Sequence, residues 1–364
     1  MTERGKRIAT VALSVLLSLT LVLAAEGLVR LRQYIKYGVA ENFNNHYVID
    51  EATGLRIVRP NLRTRSITSN SLGFRGAEIA MPKPANTVRL AFLGASTTYS
   101  AEVSSDVMTW PHQVIGTLAD AYPGRRFDYV NAAVPGYRVA ASRRNFIARV
   151  APLDVDAVVI YHAINDMSVE SAGLAEAQGL EHEKPKERLS WLSEHSLLWF
   201  LLEKNLHLKA AKAEVKTGDA PRLVMDPENL GGVFRKRLIE LIDTVREQGV
   251  DAIALVTFAS QFSPDQSPER MLKASGSALF YKPYMTPEQI LAQKLRYNDI
   301  IREVARETGV TLVEGEFDIP ADPVHFNDSV HFTDAGSTAQ ARRVSQALLE
   351  APPFQSLFRG EGRK

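Results

Sequence analysis

The sequence predicts a three-layer α/β/α sandwich around a mostly parallel five-stranded sheet, preceded by one N-terminal transmembrane helix. Two observations lead to this prediction. From Val88 onward, short apolar runs of strand length alternate with longer helical patterns, and such alternation is typical of a parallel sheet covered on both faces. Between Arg7 and Glu26, a run of 18 residues carries no charge.

Five apolar runs are predicted as strands, with helical patterns between and after them. The strands are VRLAFLG at 88–94, FDYVNAAVPG at 127–136, VDAVVIYHAIND at 155–166, DAIALVTF at 251–258 and VTLVEGE at 310–316. The helical patterns span residues 110–122, 139–150, 230–248, 287–308 and 333–349. Gly249 and Gly309 each close a helix before the next strand, a common place for glycine.

The uncharged N-terminal run is long enough to cross a bilayer. A helix of 18 residues spans about 27 Å, close to the thickness of the hydrocarbon core. Arg4, Lys6 and Arg7 precede the run, which places the N-terminus in the cytoplasm. A cleaved signal peptide is the alternative, since Ala24 and Ala25 are small, but the Val-Leu pair before them makes a poor cleavage site. We expect an uncleaved anchor that leads into a juxtamembrane helix.

The chain divides by composition into four parts. We expect a membrane anchor at 1–30, a juxtamembrane and approach segment at 31–86, the α/β domain at 87–352 and a polar tail at 353–364.

Two insertions, near 168–229 and 260–286, interrupt the alternation of strands and helices. Both follow a predicted strand end, where the sites of α/β folds lie. The first contains SLLWFLLEKNL at 196–206, which we expect to pack on the core. An interfacial helix that dips into lipid is the alternative for this run.

Charge and cysteine content exclude several kinds of function. The net charge is +1 and the pI near 7.9, so no field favours nucleic acid, and we expect no nucleic-acid partner. The chain has no cysteine, which excludes disulfides, thiolate metal sites and a cysteine nucleophile. The sequence implies no metal and no cofactor.

Ser96 is the candidate nucleophile. It stands in GASTT, directly after the first predicted strand, where Gly94 allows a sharp turn and backbone N–H groups converge. A serine nucleophile needs a tight turn, a histidine that takes its proton and donors for the developing oxyanion. Taken alone the motif is weak, since serine is most often a cap or a turn residue, and Thr98 replaces the last glycine of the Gly-x-Ser-x-Gly elbow.

The candidate base and its partner occur in NDSVHFTDAG. Asp328 and His331 are three residues apart, a spacing that presents both side chains to one pocket. Asp322 and His325 repeat the spacing six residues earlier, and a solvated loop is the simplest interpretation of either pair alone. Thr333 is expected to cap the last helix.

Two further segments offer donors for an oxyanion. NAAVPGY ends the second strand with a turn at Gly136, whose backbone N–H is one candidate. HAIND places Asn165 and Asp166 at the end of the third strand, and the side-chain amide of Asn165 is another. Taken alone, Asn165 is expected to be a residue that stabilises a turn.

The four segments occur in an order that changes their interpretation. They fall at the ends of strands one, two and three and just before the last helix, positions that converge in a doubly wound sheet. Here the sequence resembles the SGNH (GDSL-type) hydrolase family, whose four blocks contribute Ser, Gly, Asn and His, over about Val88 to Leu349. The NSLGFRG segment upstream is similar to the approach region of membrane-anchored bacterial relatives. The resemblance implies a flavodoxin-like sheet.

The resemblance also implies roles for single residues. It makes Ser96 the nucleophile, His331 the base and Asp328 the residue that orients His331. It implies that the oxyanion hole is formed by the N–H of Ser96, the N–H of Gly136 and the side chain of Asn165. The family's last block runs from its histidine into a glycine-containing helix start, which favours His331 over His325.

Two positions depart from the family pattern. Ala95 replaces the Asp of the Gly-Asp-Ser block, and Ala163 replaces the Gly before the Asn block. Both changes leave the residues that carry the chemistry in place and bear on the substrate class instead.

Together these features predict a metal-independent serine esterase in a bacterial inner membrane, with its catalytic domain in the periplasm. The expected substrate is an acyl ester, first O-acetyl groups on exported polysaccharide and second lipid or thioester acyl chains. An O-acetyltransferase with the same triad is one alternative. A non-catalytic carbohydrate-binding or assembly protein is the alternative from another class.

Overall fold

The structure is a computed structural model that describes residues 2–37, 46–180, 189–217 and 221–360. Its strands are β1 (Tyr47–Ile49), β2 (Arg56–Val58), β3 (Thr87–Gly94), β4 (Arg126–Asn131), β5 (Ala157–Tyr161), β6 (Ala252–Val256) and β7 (Thr311–Val313). Its α-helices are α1 (Glu3–Tyr37), α2 (Ser96–Tyr99), α3 (Trp110–Ala121), α4 (Val139–Asn145), α5 (Ile164–Ala177), α6 (Trp191–His195), α7 (Leu197–Thr217), α8 (Gly232–Glu247), α9 (Pro268–Ala274), α10 (Gly276–Tyr281), α11 (Pro287–Thr308), α12 (Asp334–Glu350) and α13 (Pro352–Arg359).

Five strands form the central sheet in the order β4-β3-β5-β6-β7, and every neighbouring pair is parallel. Counted along the chain this is the order 2-1-3-4-5, the flavodoxin-like arrangement. Strands β3, β5 and β6 are buried along their whole length, as strands covered on both faces must be. The predicted parallel sheet is confirmed.

Helices cover the sheet in two layers. In one layer α3 packs on α12, which also contacts α13; in the other α8 packs on α4 and α11. The α11 helix spans the predicted residues 287–308 and begins with a capping box in which Thr286 and Gln289 bond each other's backbone N–H. Thr333 caps α12 by accepting from Gly336 N, as expected.

Several predicted strands end earlier than expected. The run 310–316 is a strand only from Thr311 to Val313. The run 127–136 leaves the sheet after Asn131, and the chain then turns at Gly136, where φ is +85°. The run 155–166 leaves it after Tyr161, where its pairing with β3 stops. Asn165 therefore lies in the first turn of α5 rather than at the end of a strand.

The N-terminal apolar run forms part of α1, one continuous helix that extends through the expected juxtamembrane region to Tyr37. Within the described residues, α1 is the helix long and apolar enough to cross a membrane. Its apolar side chains from Ile8 to Leu23 are exposed, which in water is unfavourable for so large an apolar surface.

The approach segment is built into the α/β domain. Its described part, from residue 46, contains the antiparallel pair β1–β2 and further isolated bridges. Phe74 is buried in the main core, and the backbone of Arg75 pairs with Asn131 at the end of β4. The segment thereby pairs with the last residue of the edge strand β4.

The first insertion contains α6 and α7 and does not join the main core. Leu197 is buried, but Trp199, Leu202 and Leu206 are 43%, 50% and 67% exposed. The α7 helix packs on α10, α6 and α1 instead. The prediction that this run packs on the core is wrong for these three exposed residues. Part of the insertion, 181–188 and 218–220, lies outside the described residues.

The expected polar tail is a helix over most of its length. In α13, Phe354 and Phe358 lie four residues apart, on the same face, and both are buried in the main core. The two phenylalanines are the physical reason why residues 353–359 fold onto the domain. Residues 361–364 lie outside the described residues.

Candidate active site

Ser96 begins α2, a single helical turn that follows the buried strand β3. The turn is so tight that a Cβ on Gly94 would lie 2.1 Å from Oγ1 of Thr98, which explains the glycine. Trp110 Nε1 donates to the carbonyl of Thr97 (3.1 Å), and Asn131 Nδ2 donates to that of Thr98 (3.3 Å). The backbone of the turn that carries Ser96 is therefore held by hydrogen bonds from the side chains of Trp110 and Asn131.

A buried arginine holds the far end of this turn. Nη1 of Arg75 donates to the carbonyls of Tyr99 and Ser100, each at 2.6 Å, and its Nε donates to Asp106 at 2.7 Å. Arg75 is 2% exposed. Its guanidinium is thus satisfied by groups that surround the Ser96 turn, as a buried cation requires.

His331 and Asp328 meet Ser96 from the loop before α12. His331 Nε2 lies 2.8 Å from Ser96 Oγ, and His331 Nδ1 lies 2.8 Å from Asp328 Oδ2. Oδ1 of Asp328 accepts from the backbone N–H of Val330 and His331, each at 2.9 Å. The three-residue spacing thus lets one carboxylate fix both the loop and the ring. A neutral imidazole held in this way donates through Nδ1 and accepts at Nε2.

The duplicated pair has the same local geometry in another place. Asp322 Oδ1 accepts from the N–H of His325 at 3.0 Å and lies 2.9 Å from its Nδ1. The ring bonded to Ser96 is that of His331. The backbone of His325 contacts Gly336 so closely that a Cβ there would lie 1.9 Å from the His325 carbonyl oxygen. This contact accounts for the glycine at the start of α12.

A second serine–histidine pair shows that the hydrogen bond alone does not make a nucleophile. Ser142 Oγ lies 2.7 Å from Nε2 of His162, but both residues are buried in the domain. Burial lowers the pKa of His162 to about 3, so this imidazole has little tendency to take a proton. The pair of Ser96 and His331 is partly exposed, and the pKa of His331 is raised rather than lowered.

Charges around His331 favour its protonated form. Burial by itself lowers the pKa of His331, but the carboxylates of Glu102 and Asp328 outweigh it and raise this pKa to about 9. The nearby Lys204 acts in the opposite direction. Burial raises the pKa of Asp328, but the charge and hydrogen bonds of His331 bring it to about 2. The pair therefore carries an ionised carboxylate that stabilises an imidazolium, which is the charge state reached when a histidine accepts a proton.

Glu102 is a part of this site that the sequence analysis missed. It follows α2 in the chain, and its Oε2 is buried without a hydrogen-bond partner among the described residues. Burial raises the pKa of Glu102, and the charge of His331 lowers it. The protonation of Glu102 and that of His331 therefore depend on each other. Nothing in the Ala-Glu-Val sequence at this position signals the contact.

The turn at Gly136 lies beside the Ser96 turn. Val134 and Tyr137 pack on Ala95 in a small buried cluster, and the N–H of Tyr137 closes the turn on the carbonyl of Val134 at 3.0 Å. Pro135 and Gly136 at its centre, with φ +85° at the glycine, are typical of a type II turn. The turn leaves Gly136 exposed.

Asn165 is bonded to the same turn. Its Nδ2 donates to the carbonyl of Tyr137 at 2.9 Å, so one of its two amide hydrogens is used there. The structure thus brings Asn165 to the Gly136 turn and that turn to Ala95, the residue before Ser96. Ala95 and Ala163, the two departures from the family pattern, are both buried apolar positions here.

The first insertion supplies one wall beside His331. Lys204 of α7 is close enough for its charge to act on the imidazole, and its Nζ lies 5.8 Å from the ring of Phe280 in α10. On another side, a cavity of about 320 Å³ extends from Asp328 between the second insertion and the loop before α12. Its lining mixes polar residues such as Gln261, Gln266 and Arg270 with apolar ones such as Pro323 and Phe326. Within the described residues, no cluster of His, Asp and Glu is arranged to hold a metal ion.

The sequence of the domain matches the model of the GDSL-like lipase/acylhydrolase family over residues 92–339. The chain belongs to this family. Membership makes the protein an ester hydrolase, and the matched residues include Ser96, Gly136, Asn165, Asp328 and His331. A search of curated protein sequences gave no match.

Several solved structures resemble the chain. An acetylxylan esterase from Geobacillus stearothermophilus is 16% identical, with a TM-score of 0.43 over 71% of this chain and 93% of the esterase. A lipase/acylhydrolase from Enterococcus faecalis is 12% identical, with a TM-score of 0.41 over 72% of this chain and 95% of that one. An α/β hydrolase from the metagenome of Lake Arreo in Spain is 17% identical, with a TM-score of 0.41 over 71% and 94%.

Replacing Glu102 tests the electrostatics of the site. With a pKa of about 9, only about one imidazole in a hundred is neutral at pH 7, so kcat/KM should rise with pH up to that value. Glu102→Gln removes a charge that raises the pKa of His331, so the rise should move to lower pH. Each unit of this shift increases kcat/KM at pH 7 by up to about tenfold.

The measurement is kcat/KM for a soluble ester between pH 6 and pH 10. Glu247→Gln, at an exposed glutamate on α8, is the matched control and should keep the wild-type profile. An unchanged or upward-shifted profile for Glu102→Gln would show that Glu102 does not charge His331.

Proposed function

We propose that this family member is a membrane-anchored serine esterase that uses Ser96, His331 and Asp328 as a catalytic triad. The observation that carries the proposal is the continuous hydrogen-bonded chain from Ser96 Oγ through His331 to Asp328, with both links at 2.8 Å. A hydroxyl, an imidazole and a carboxylate in this sequence are the parts that nucleophilic acyl transfer requires.

The proposed reaction has two halves. Ser96 Oγ attacks the ester carbonyl while its proton passes to His331 Nε2, and the ionised Asp328 stabilises the imidazolium. His331 returns the proton to the leaving alcohol as the carbonyl re-forms, which leaves an acyl group on Ser96. Water then attacks this acyl group, with His331 again taking and returning one proton, and releases the carboxylic acid.

The oxyanion of each tetrahedral intermediate is assigned to three donors. They are the N–H of Ser96, the N–H of Gly136 and the side-chain amide of Asn165. The packing of Val134 and Tyr137 on Ala95 supports this grouping, as does the bond from Asn165 to the Tyr137 carbonyl. Donors held by such contacts do not have to reorganise when charge develops, which is why they accelerate acyl transfer.

The acyl group is proposed to be short, with O-acetyl groups on exported carbohydrate as the substrate class. A long acyl chain needs a continuous apolar lining, and the exposed apolar residues of α7 do not supply one beside His331. Leu202 and Leu206 each lie two residues from Lys204, about 200° around the helix. The face of α7 near His331 therefore carries a charge, and polar side chains such as Gln261, Gln266 and Arg270 interrupt the apolar lining of the cavity beside Asp328.

The cellular arrangement follows from α1. We assign residues 1–30 to a membrane anchor and infer that the catalytic domain lies on the periplasmic side of a bacterial inner membrane. The exposed apolar surface of α1 supports the anchor. The cluster of Arg4, Lys6 and Arg7 before it supports a cytoplasmic N-terminus.

Substitutions in the proposed triad should abolish hydrolysis without unfolding the domain. Ser96→Ala and His331→Ala are each expected to lower kcat by on the order of 10⁴-fold or more, because triad residues act as a unit. His325→Ala is the matched control, since His325 has the same bond to an aspartate at the same spacing, and its effect on kcat should be small. Hydrolysis of p-nitrophenyl acetate and thermal unfolding are the two measurements. If His325→Ala abolished activity and His331→Ala did not, the base would be His325 and the proposed triad would be wrong.

The length of the preferred acyl chain should distinguish the two substrate classes. Each methylene accepted by an apolar pocket is worth about 0.8 kcal/mol, roughly a fourfold gain in binding. We expect kcat/KM to be highest for acetyl esters and to fall toward octanoyl esters, measured on a p-nitrophenyl series from C2 to C8. A steady rise with chain length would contradict the O-acetyl proposal and favour a lipid substrate.

The proposed topology predicts the fate of the N-terminus. An alkaline phosphatase fused to the C-terminus should be active in cells, and the protein should stay in the membrane fraction after carbonate extraction with its N-terminal residues intact. A soluble form beginning near Glu26 would instead establish a cleaved signal peptide. An inactive fusion would indicate the opposite orientation, with the C-terminal domain in the cytoplasm.

A further inference from the structure

The start of α7 is bonded to α1. The carboxylate of Glu26 accepts from the backbone N–H of Leu197 at 3.0 Å and of Leu198 at 2.8 Å, and from Ser196 Oγ at 2.8 Å. These are the N–H groups that a helix start leaves unsatisfied, and a carboxylate is a favourable cap for them. Arg30 bonds the same carboxylate at 2.6 Å. The first turn of α7 is thereby fixed next to Glu26.

Glu26 stands at a particular level of α1. It is the first charged residue after the uncharged run that ends at Ala25. If this run crosses the bilayer as proposed above, Glu26 marks the edge of the hydrocarbon region and α7 begins at that edge. The first turn of α7 is therefore held at the membrane–water interface by its hydrogen bonds to Glu26.

One face of the N-terminal half of α7 is apolar and exposed. Trp199, Leu202 and Leu206 are three and four residues apart and so lie on one side of α7. Trp191 and Leu192 of α6 are 68% and 45% exposed. We call these five residues the apolar stripe. Lys209, exposed one turn beyond Leu206, ends its apolar character.

The two sides of α7 differ in what they face. Lys204 lies on the side of α10 and acts on His331, whereas Leu202 and Leu206 point away from it. The stripe is therefore not used by the proposed active site or by the main core. Of the three tryptophans in the sequence, Trp110 is fully buried, and the other two, Trp191 and Trp199, are both in the stripe.

We propose that the apolar stripe is a membrane-contact surface that lies in the interfacial layer of the bilayer crossed by α1. Its apolar residues continue the exposed apolar surface of α1 at the level where tryptophan is most favourable in a membrane. This inference rests on the proposed membrane anchor. Its consequence is that the bilayer supports α7 and hence the wall of the active site that carries Lys204.

The absence of cysteine in the chain makes a direct test simple. Leu202→Cys and Leu206→Cys of the full-length protein are labelled with the environment-sensitive dye NBD. They are then reconstituted into vesicles of phosphatidylethanolamine and phosphatidylglycerol, with and without spin-labelled phospholipid. Both labels should emit at shorter wavelength in vesicles and lose fluorescence as the spin-labelled lipid content rises.

Two control positions separate this inference from the proposed anchor. Val233→Cys, 59% exposed on α8, should show neither effect, and Leu16→Cys in α1 should be quenched. Quenching at Leu16 without quenching at Leu202 and Leu206 would overturn the membrane contact and leave the anchor intact. No quenching at Leu16 would overturn the anchor itself. A blue shift at Leu202 without lipid quenching would identify a second protein copy as the occupant and also overturn the proposal.

Discussion

The position of Ser96 depends on the buried guanidinium of Arg75. A cation that is 2% exposed must keep all its donors occupied, and leaving such a charge unpaired costs about 3–5 kcal/mol. Here the acceptors are the Asp106 carboxylate, the carbonyls of Tyr99 and Ser100 and, for Nη2, the carbonyl of Ser66. The Tyr99 and Ser100 carbonyls can be reached only when the chain after Ser96 makes one helical turn and passes through a left-handed residue, Ser100, with φ +57°. Arg75, in the approach segment 21 positions before Ser96, thus stabilises the left-handed backbone at Ser100 and the turn that carries Ser96.

The sheet then brings the other candidate residues to the same edge. Parallel strands all end on one side, so segments that follow β3, β4 and β5 meet although they are far apart in the sequence. The sequence predicted this much because strand runs and helix caps are local patterns. It expected Ser96 directly after a strand, as observed, but placed Asn165 at a strand end, whereas Asn165 lies in the first turn of α5. The distinction between His331 and His325 came from the family resemblance, since both pairs form the same local bond to their aspartates.

What the sequence did not predict depends on contacts between distant segments. Glu102 has no local motif, and its proximity to His331 arises because the loops after β3 and before α12 are joined by the bond from Ser104 N to Asp334. Lys204 acts on His331 only because α7 folds back over the site. The burial of Phe354 and Phe358 was missed for a different reason, since two aromatic residues in a short polar segment give too little periodicity to indicate a helix. Two strand ends were misplaced because the chain stays apolar beyond the last paired residues, Asn131 and Tyr161, so loss of apolar character does not mark where the pairing stops.

The α7 helix connects α1 with the surroundings of His331. Its start is fixed on α1 by Glu26. About two turns further, Lys204 lowers the pKa of His331, which Glu102 and Asp328 raise. A helix is stiff over so short a distance, so a displacement at its start is transmitted to Lys204 rather than absorbed between them. The same element therefore holds the domain against the proposed membrane surface and contributes to the protonation equilibrium of the proposed base.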